Sequence, residues 1–195
     1  MLKKIGLGVL ALVALFLIAA ANRPDTFRIE RSVTIAAPAE VVFAQINDLH
    51  QWSNWNPFQK SDPGITMSYE GAPSGVGSSF HYVGEQAGEG RMTITQVTPN
   101  ERVAVKGEFI KPFAATNDIE FTLAPTAEGV SVTWAMSGDN TFIGKAISLF
   151  IDTDKMIGGE FEKGLVDLKR VSEETAARLA RPLEPASATS LAAAE

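Results

Sequence analysis

With no cysteine in its 195 residues, the chain can form no disulfide, thiolate metal site or cysteine nucleophile. Apolar residues make up 45% and charged residues 21%, which suits one domain with a packed core and argues against global disorder. The net charge of −6 leaves no surplus of Lys and Arg to displace counterions, so a nucleic-acid partner is not expected.

The first segment sets the compartment. Lys3 and Lys4 precede an unbroken run of apolar residues and Gly from Ile5 to Ala21. Such a helix is roughly 26 Å long, at the lower edge of a membrane span. Its Leu, Ile, Phe and Val residues each favour insertion by about 0.3–0.6 kcal/mol. Basic residues before the run keep the N-terminus cytoplasmic and send the rest outward. Two readings follow. Uncut, residues 1–25 are an anchor holding a domain at the outer face of a membrane. Cut after Ala21, where Ala19-Ala20-Ala21 offers a small-residue site, they are a signal peptide and the domain is secreted.

Residues 26–173 read as one domain. Thr26–Ile35 alternates as a strand, with Phe27, Ile29, Arg31, Val33 and Ile35 on one face. Pro38 suits the first turn of a helix running to Asn47, with an apolar stripe of Val42, Phe43 and Ile46. An aromatic turn, His50 to Phe58, follows and closes on Pro57. From Ile65 the period becomes two, through about six segments separated by turns at Gly71–Gly77, Gly84–Gly88, Pro99-Asn100, Lys111-Pro112 and Ala127–Gly129. Such short links require antiparallel pairing, with one face buried and one wet. The last element is helical, with Ile143, Ile147, Phe150, Asp154, Ile157, Phe161, Leu165 and Leu168 on one stripe. Gly158-Gly159 predicts a kink or two abutting helices. Residues 174–195 are Ala-, Ser- and Pro-rich, and a frayed or disordered tail is expected there. The fold class is therefore α+β. A curved antiparallel sheet of about seven strands wraps a long C-terminal helix, and two short helices follow the first strand.

Several motifs in this order carry a resemblance. They are Arg31-Ser32, Ala37-Pro38, Trp52-Ser53-Asn54-Trp55-Asn56-Pro57, Asp62-Pro63, Tyr69-Glu70-Gly71, Gly75-Val76-Gly77, Val132-Thr133-Trp134 and Phe161-Glu162-Lys163-Gly164-Leu165. Together they resemble the Bet v 1-like helix-grip superfamily of START and polyketide cyclase/dehydrase-type domains, in its bacterial membrane-associated form, over residues 26–173. The resemblance implies a hydrophobic cavity between sheet and long helix for lipids, sterols, polyketides or other apolar molecules. It does not imply one reaction.

Inward strand positions are almost entirely apolar: Phe80, Tyr82, Met92, Ile94, Val105, Phe109, Phe121, Trp134 and Met136. With Phe150, Ile157 and Phe161 from the last helix they form the expected lining of a pocket, and Trp52 and Trp55 either gate its mouth or plug the core. Such walls bind apolar surface but offer little to move protons. Tyr82 and Asp154 are the two side chains from which a cyclase or dehydrase would be built. Asp154 on the apolar stripe has either a raised pKa beside the cavity or a place at a wet helix end. A solid core with no cavity is the third reading. His50 and His81 lack zinc-ligand spacing, Gly75-x-Gly77 lacks the phosphate-loop pattern, and no serine elbow occurs, so neither metal nor cofactor is expected.

Overall fold

The structure is a computed structural model and describes residues 2–181. Helix α1, Leu2–Ala21, exposes the Leu, Ile and Val side chains of residues 5–18 and meets the body at its last turns, where Ala20 is buried. It is long and apolar enough to cross a membrane. Next come strand β1 (Thr26–Ile35), helix α2 (Ala39–Asn47), a 3-10 helix (Leu49–Asn54) and a single turn, α3 (Pro57–Lys60). Strands β2 (Thr66–Gly71), β3 (Ser78–Gly84), β4 (Gly88–Thr98), β5 (Arg102–Lys111), β6 (Ala115–Thr126) and β7 (Gly129–Asp139) follow as a meander. Helices α4 (Phe142–Ile147) and α5 (Thr153–Leu179) complete the described chain.

All seven strands form one antiparallel sheet in the order β1-β7-β6-β5-β4-β3-β2. Hairpin links allow only antiparallel neighbours, and β1 completes the sheet by pairing with β7 from Thr26↔Asp139 to Ile35↔Val130. This register gives the sheet two distinct ends. At the first lie the start of β1, the end of β7 and the β3–β4 and β5–β6 turns. At the second lie the end of β1 and the β2–β3, β4–β5 and β6–β7 turns.

Helix α5 runs along the inner face from the first end to the second. Phe161, Leu165 and Leu168 are buried against the sheet. At the second end Glu173 Oε1 accepts the Ala36 N–H at 2.8 Å. There α2 and the 3-10 helix close the grip. The carbonyls ending α2, which lack helical partners, accept the indole N–H groups, Trp52 to Ile46 O at 2.9 Å and Trp55 to Gln45 O at 3.1 Å. Both rings are thereby fixed in the core.

Two expectations for the last helix are corrected. The break falls at residues 148–152, where Asp152 caps α5 by accepting the Lys155 N–H at 3.0 Å. Gly158-Gly159 sits inside an unbroken helix. A Cβ on Gly158 would lie 2.1 Å from Arg31 Nη2, so this glycine serves close approach. The helix also continues through Leu179, past the expected boundary at 173, because Ser172 is buried and Val171 and Ala176 pack on the core. The remainder of the expected tail, residues 182–195, lies outside the described residues.

Candidate functional site

The inner face does not fill. Near the first end of the sheet, a cavity of about 430 Å³ remains between β2–β7, α3 and the first half of α5. Phe80, Tyr82, Met92, Phe109, Trp134 and Met136 line it from the sheet, Ile157 and Phe161 from α5, and Trp52 from the 3-10 helix. Small residues create the space. Gly90 pairs with Tyr82 across the β3–β4 ladder, and a Cβ there would lie 2.6 Å from Tyr82 Oη. Gly107 plays the same part between Ile119 and Met92, each 3.2 Å from the position of its missing Cβ.

Four of the expected lining residues lie elsewhere in the core. Trp55, Ile94, Val105 and Phe121 are fully buried but outside the cavity. An aromatic cluster, three of whose rings also face the hollow, closes the cavity on the side of the second end. Trp52 and Trp55 lie 5.2 Å apart, Phe121 packs edge-on to both, and Trp134 stacks on Phe161 at 4.2 Å. Alternation along a strand distinguishes inside from outside, but not which half of the inside stays empty.

Two residues leave the site altogether. Phe150 is 79% exposed in the α4–α5 connection, where it stacks on Phe16 of α1. Asp154 lies in the first turn of α5 and outside the cavity wall. Arg31 reaches from β1 to donate to Asp154 Oδ2 at 2.9 Å and to Glu162 Oε1 at 2.8 Å. The guanidinium therefore holds the Asp154 carboxyl below the usual carboxylate range, opposite to the rise expected beside a greasy cavity. Tyr82 remains in the wall, and burial pushes its phenol up.

The wall also contains residues not assigned to it from sequence. Ile65, Met67 and Ile119 stand on the inner face by the same alternation, and Phe58 follows the aromatic turn. Asn117 is buried on β6, with its amide 3.6 Å from Met136 Sδ. Pro112 and Phe113, which read as turn punctuation, form the rim with Lys111, whose ammonium pairs with Glu89 at 2.6 Å. Another rim contact comes from Asp62. Its carboxylate is buried and accepts the Gln86 and Ala87 N–H groups at 2.7 and 3.0 Å, tying the β3–β4 turn to the segment before β2. A second cavity of about 440 Å³ adjoins the first and shares Pro112, Phe113, Ala115 and Ile157 with it.

A curved antiparallel sheet closed over a long C-terminal helix, with an apolar hollow between them, defines the helix-grip class. Residues 26–173 match the family model described as polyketide cyclase / dehydrase and lipid transport, and the chain belongs to that family. Solved structures share the fold at low identity. A protein from Chromobacterium violaceum is 18% identical, with a TM-score of 0.53 over 77% of this chain and 99% of its own. A protein from Rhodobacter sphaeroides is 17% identical, with a TM-score of 0.55 over 78% and 93%. The di-domain ARO/CYC StfQ from the steffimycin biosynthetic pathway is 12% identical, with a TM-score of 0.57, and this chain spans 52% of its length. A search of curated protein sequences finds no match to the chain.

Proposed function

We propose that the domain binds an apolar small molecule, a lipid, sterol or polyketide-like compound, in the 430 Å³ cavity at the outer face of the membrane in which α1 is anchored. One observation carries the reading. Among the described residues, Lys111 is the sole charged one in the cavity wall, and it stands at the rim in an ion pair with Glu89. A hollow of this size falls in the ordinary range for small ligands, roughly 300–1,000 Å³. Its aromatic and aliphatic walls favour apolar surface by about 25 cal/mol per Å² removed from water. The outward orientation is supported by Lys3 and Lys4 ahead of α1. A cyclase or dehydrase built on Tyr82 and Asp154 is disfavoured, because Asp154 is engaged by Arg31 outside the wall and cannot share a proton with the enclosed phenol.

Native mass spectrometry of the full chain released from detergent, after incubation with a bacterial lipid extract, tests the reading. One bound apolar molecule per chain is expected. The Ala115→Trp variant, with an indole filling the hollow, should melt as before and lose the adduct. An adduct-free spectrum for the unmodified chain would overturn the proposal.

A further inference from the structure

Topology gathers four features at one end of the molecule. The start of β1, the end of β7, the β5–β6 turn and the cavity mouth all lie at the first end of the sheet. Helix α1 joins the body there through only Asn22-Arg23-Pro24-Asp25, a link that spans no more than about 14 Å. That link is also pinned to α4 and its flanks. Asn140 Nδ2 donates to Pro24 O at 3.2 Å and Asn140 N to Asp25 O at 2.7 Å. The Lys145 ammonium pairs with Asp25, and Arg23 Nη2 donates to Ser148 O at 3.1 Å. Within α1 itself, Ala20 is buried and Phe16 stacks on Phe150 at 6.0 Å. Helix α4 therefore lies against the last turns of the membrane helix.

This end also exposes six large apolar side chains. Ile110 and Phe113 project from the β5–β6 hairpin, and Phe142, Ile143, Phe150 and Ile151 from α4 and its connection. Among the described residues outside α1, these six account for every exposed Ile and for every exposed Phe except Phe58. Such a contiguous patch on a soluble face marks contact with a membrane or a protein. Its continuity with α1 decides between them, because a collar joined to the end of a bilayer-spanning helix lies at the depth of the acyl–headgroup boundary. The second cavity, lined by Phe113, Ile143 and Ile147, leads from this collar to the main hollow.

We infer that α4 and the β5–β6 turn dip into the outer leaflet of the membrane crossed by α1, so that the cavity opens onto acyl chains rather than water. The docking rests on α1 spanning the bilayer; loading of the ligand sideways from the leaflet rests in addition on the binding reading above. Insertion rests on the six apolar side chains, with Lys145 and Asp25 paired beside them, and it should persist in zwitterionic vesicles at high salt.

The absence of cysteine makes single-site labelling direct. The full chain is reconstituted in phosphatidylcholine vesicles with an environment-sensitive fluorophore on Phe113→Cys, Ile143→Cys, Leu15→Cys or Glu128→Cys, the last in the turn at the opposite end. Lipids spin-labelled at shallow acyl positions should quench the Leu15, Phe113 and Ile143 sites and leave the Glu128 site water-like and unquenched. Three results would overturn the docking. Collar sites as wet as Glu128 would show that the end stands clear of the bilayer. Blue-shifted but unquenched collar sites would show that protein covers them. An unquenched Leu15 would remove the membrane helix on which the docking depends. None of these outcomes alters the adduct measurement, so the two proposals fail separately.

Discussion

Asp62 shows how one buried carboxylate can shape the mouth of a cavity. It has no cationic partner among its hydrogen bonds; its donors are the backbone N–H groups of Ala87, Gln86 and Gly64, the last at 3.3 Å. The Ala87 and Gln86 bonds hold the carboxyl below the usual carboxylate range. A carboxyl with a depressed folded pKa contributes stability above its unfolded value, near about 3.9, and loses that contribution as the pH falls through the folded value. Asp62→Asn has no charge at any pH. The variant should therefore melt below the unmodified chain at pH 7, and the gap should narrow as the pH falls from 7 to below about 4. Thermal melts at both ends of this range check it. A gap of constant size would mean that the ionised form makes no special contribution. Arg31 illustrates the opposite arrangement, with one guanidinium shared by two exposed carboxylates, Asp154 and Glu162, where screening by water keeps each pair weak.

At the scale of elements, neighbouring glycines in α5 should respond with opposite sign. Nothing lies within 4 Å of a Cβ built on Gly159, so Gly159→Ala should stabilise by about 1 kcal/mol through helix propensity alone. A Cβ on Gly164 would lie 2.8 Å from both Pro57 Cδ and Trp134 Cζ3. Overpacking of this kind costs about 1–3 kcal/mol, so Gly164→Ala should be destabilising on balance despite its better propensity. Denaturant unfolding of the two variants measures both. The same glycines explain what was legible in the sequence. Strand alternation and the order of elements follow from local chemistry, and the sheet and long helix could be read from them. A glycine pair in a helix has two meanings, a weak point or a close approach, and only the position of Arg31 selects the second. The actual break was marked by Asp152 as a cap, a subtler sign than Gly158-Gly159. Alternation in β4 likewise slips at the irregularity between Ile94 and Gln96, which no period-two pattern foresees.

Taken whole, the molecule is a grip filled at one end and hollow at the other. Trp55 and Phe121 fill the side toward the second end, with Trp52 between them and the hollow, whereas Gly90, Gly107 and Ala115 leave the first end open. Which end would stay empty depends on ring volumes brought together from distant elements, so Ile94, Val105 and Phe121 looked equivalent to Phe109 in sequence and are not. The uneven packing has a dynamic consequence. Local opening costs least where side chains have few partners, so amides near the β3–β4 and β5–β6 turns should exchange with solvent faster than those around Val103, Phe121 and Val132. A ligand in the hollow stabilises only conformations that keep the hollow intact. At a concentration of 100 times its Kd that stabilisation is about 2.7 kcal/mol, so exchange through local opening should slow by up to about 100-fold at the first end. Amides of the second end that already exchange through smaller, independent fluctuations should change little. Hydrogen exchange of the reconstituted full chain, with and without an added apolar ligand, resolves the two halves by peptide. Uniform slowing along the sheet would mean that the ligand acts on global unfolding rather than on a separately opening half, and no slowing at the β3–β4 and β5–β6 turns would remove the hollow as the place where the ligand sits.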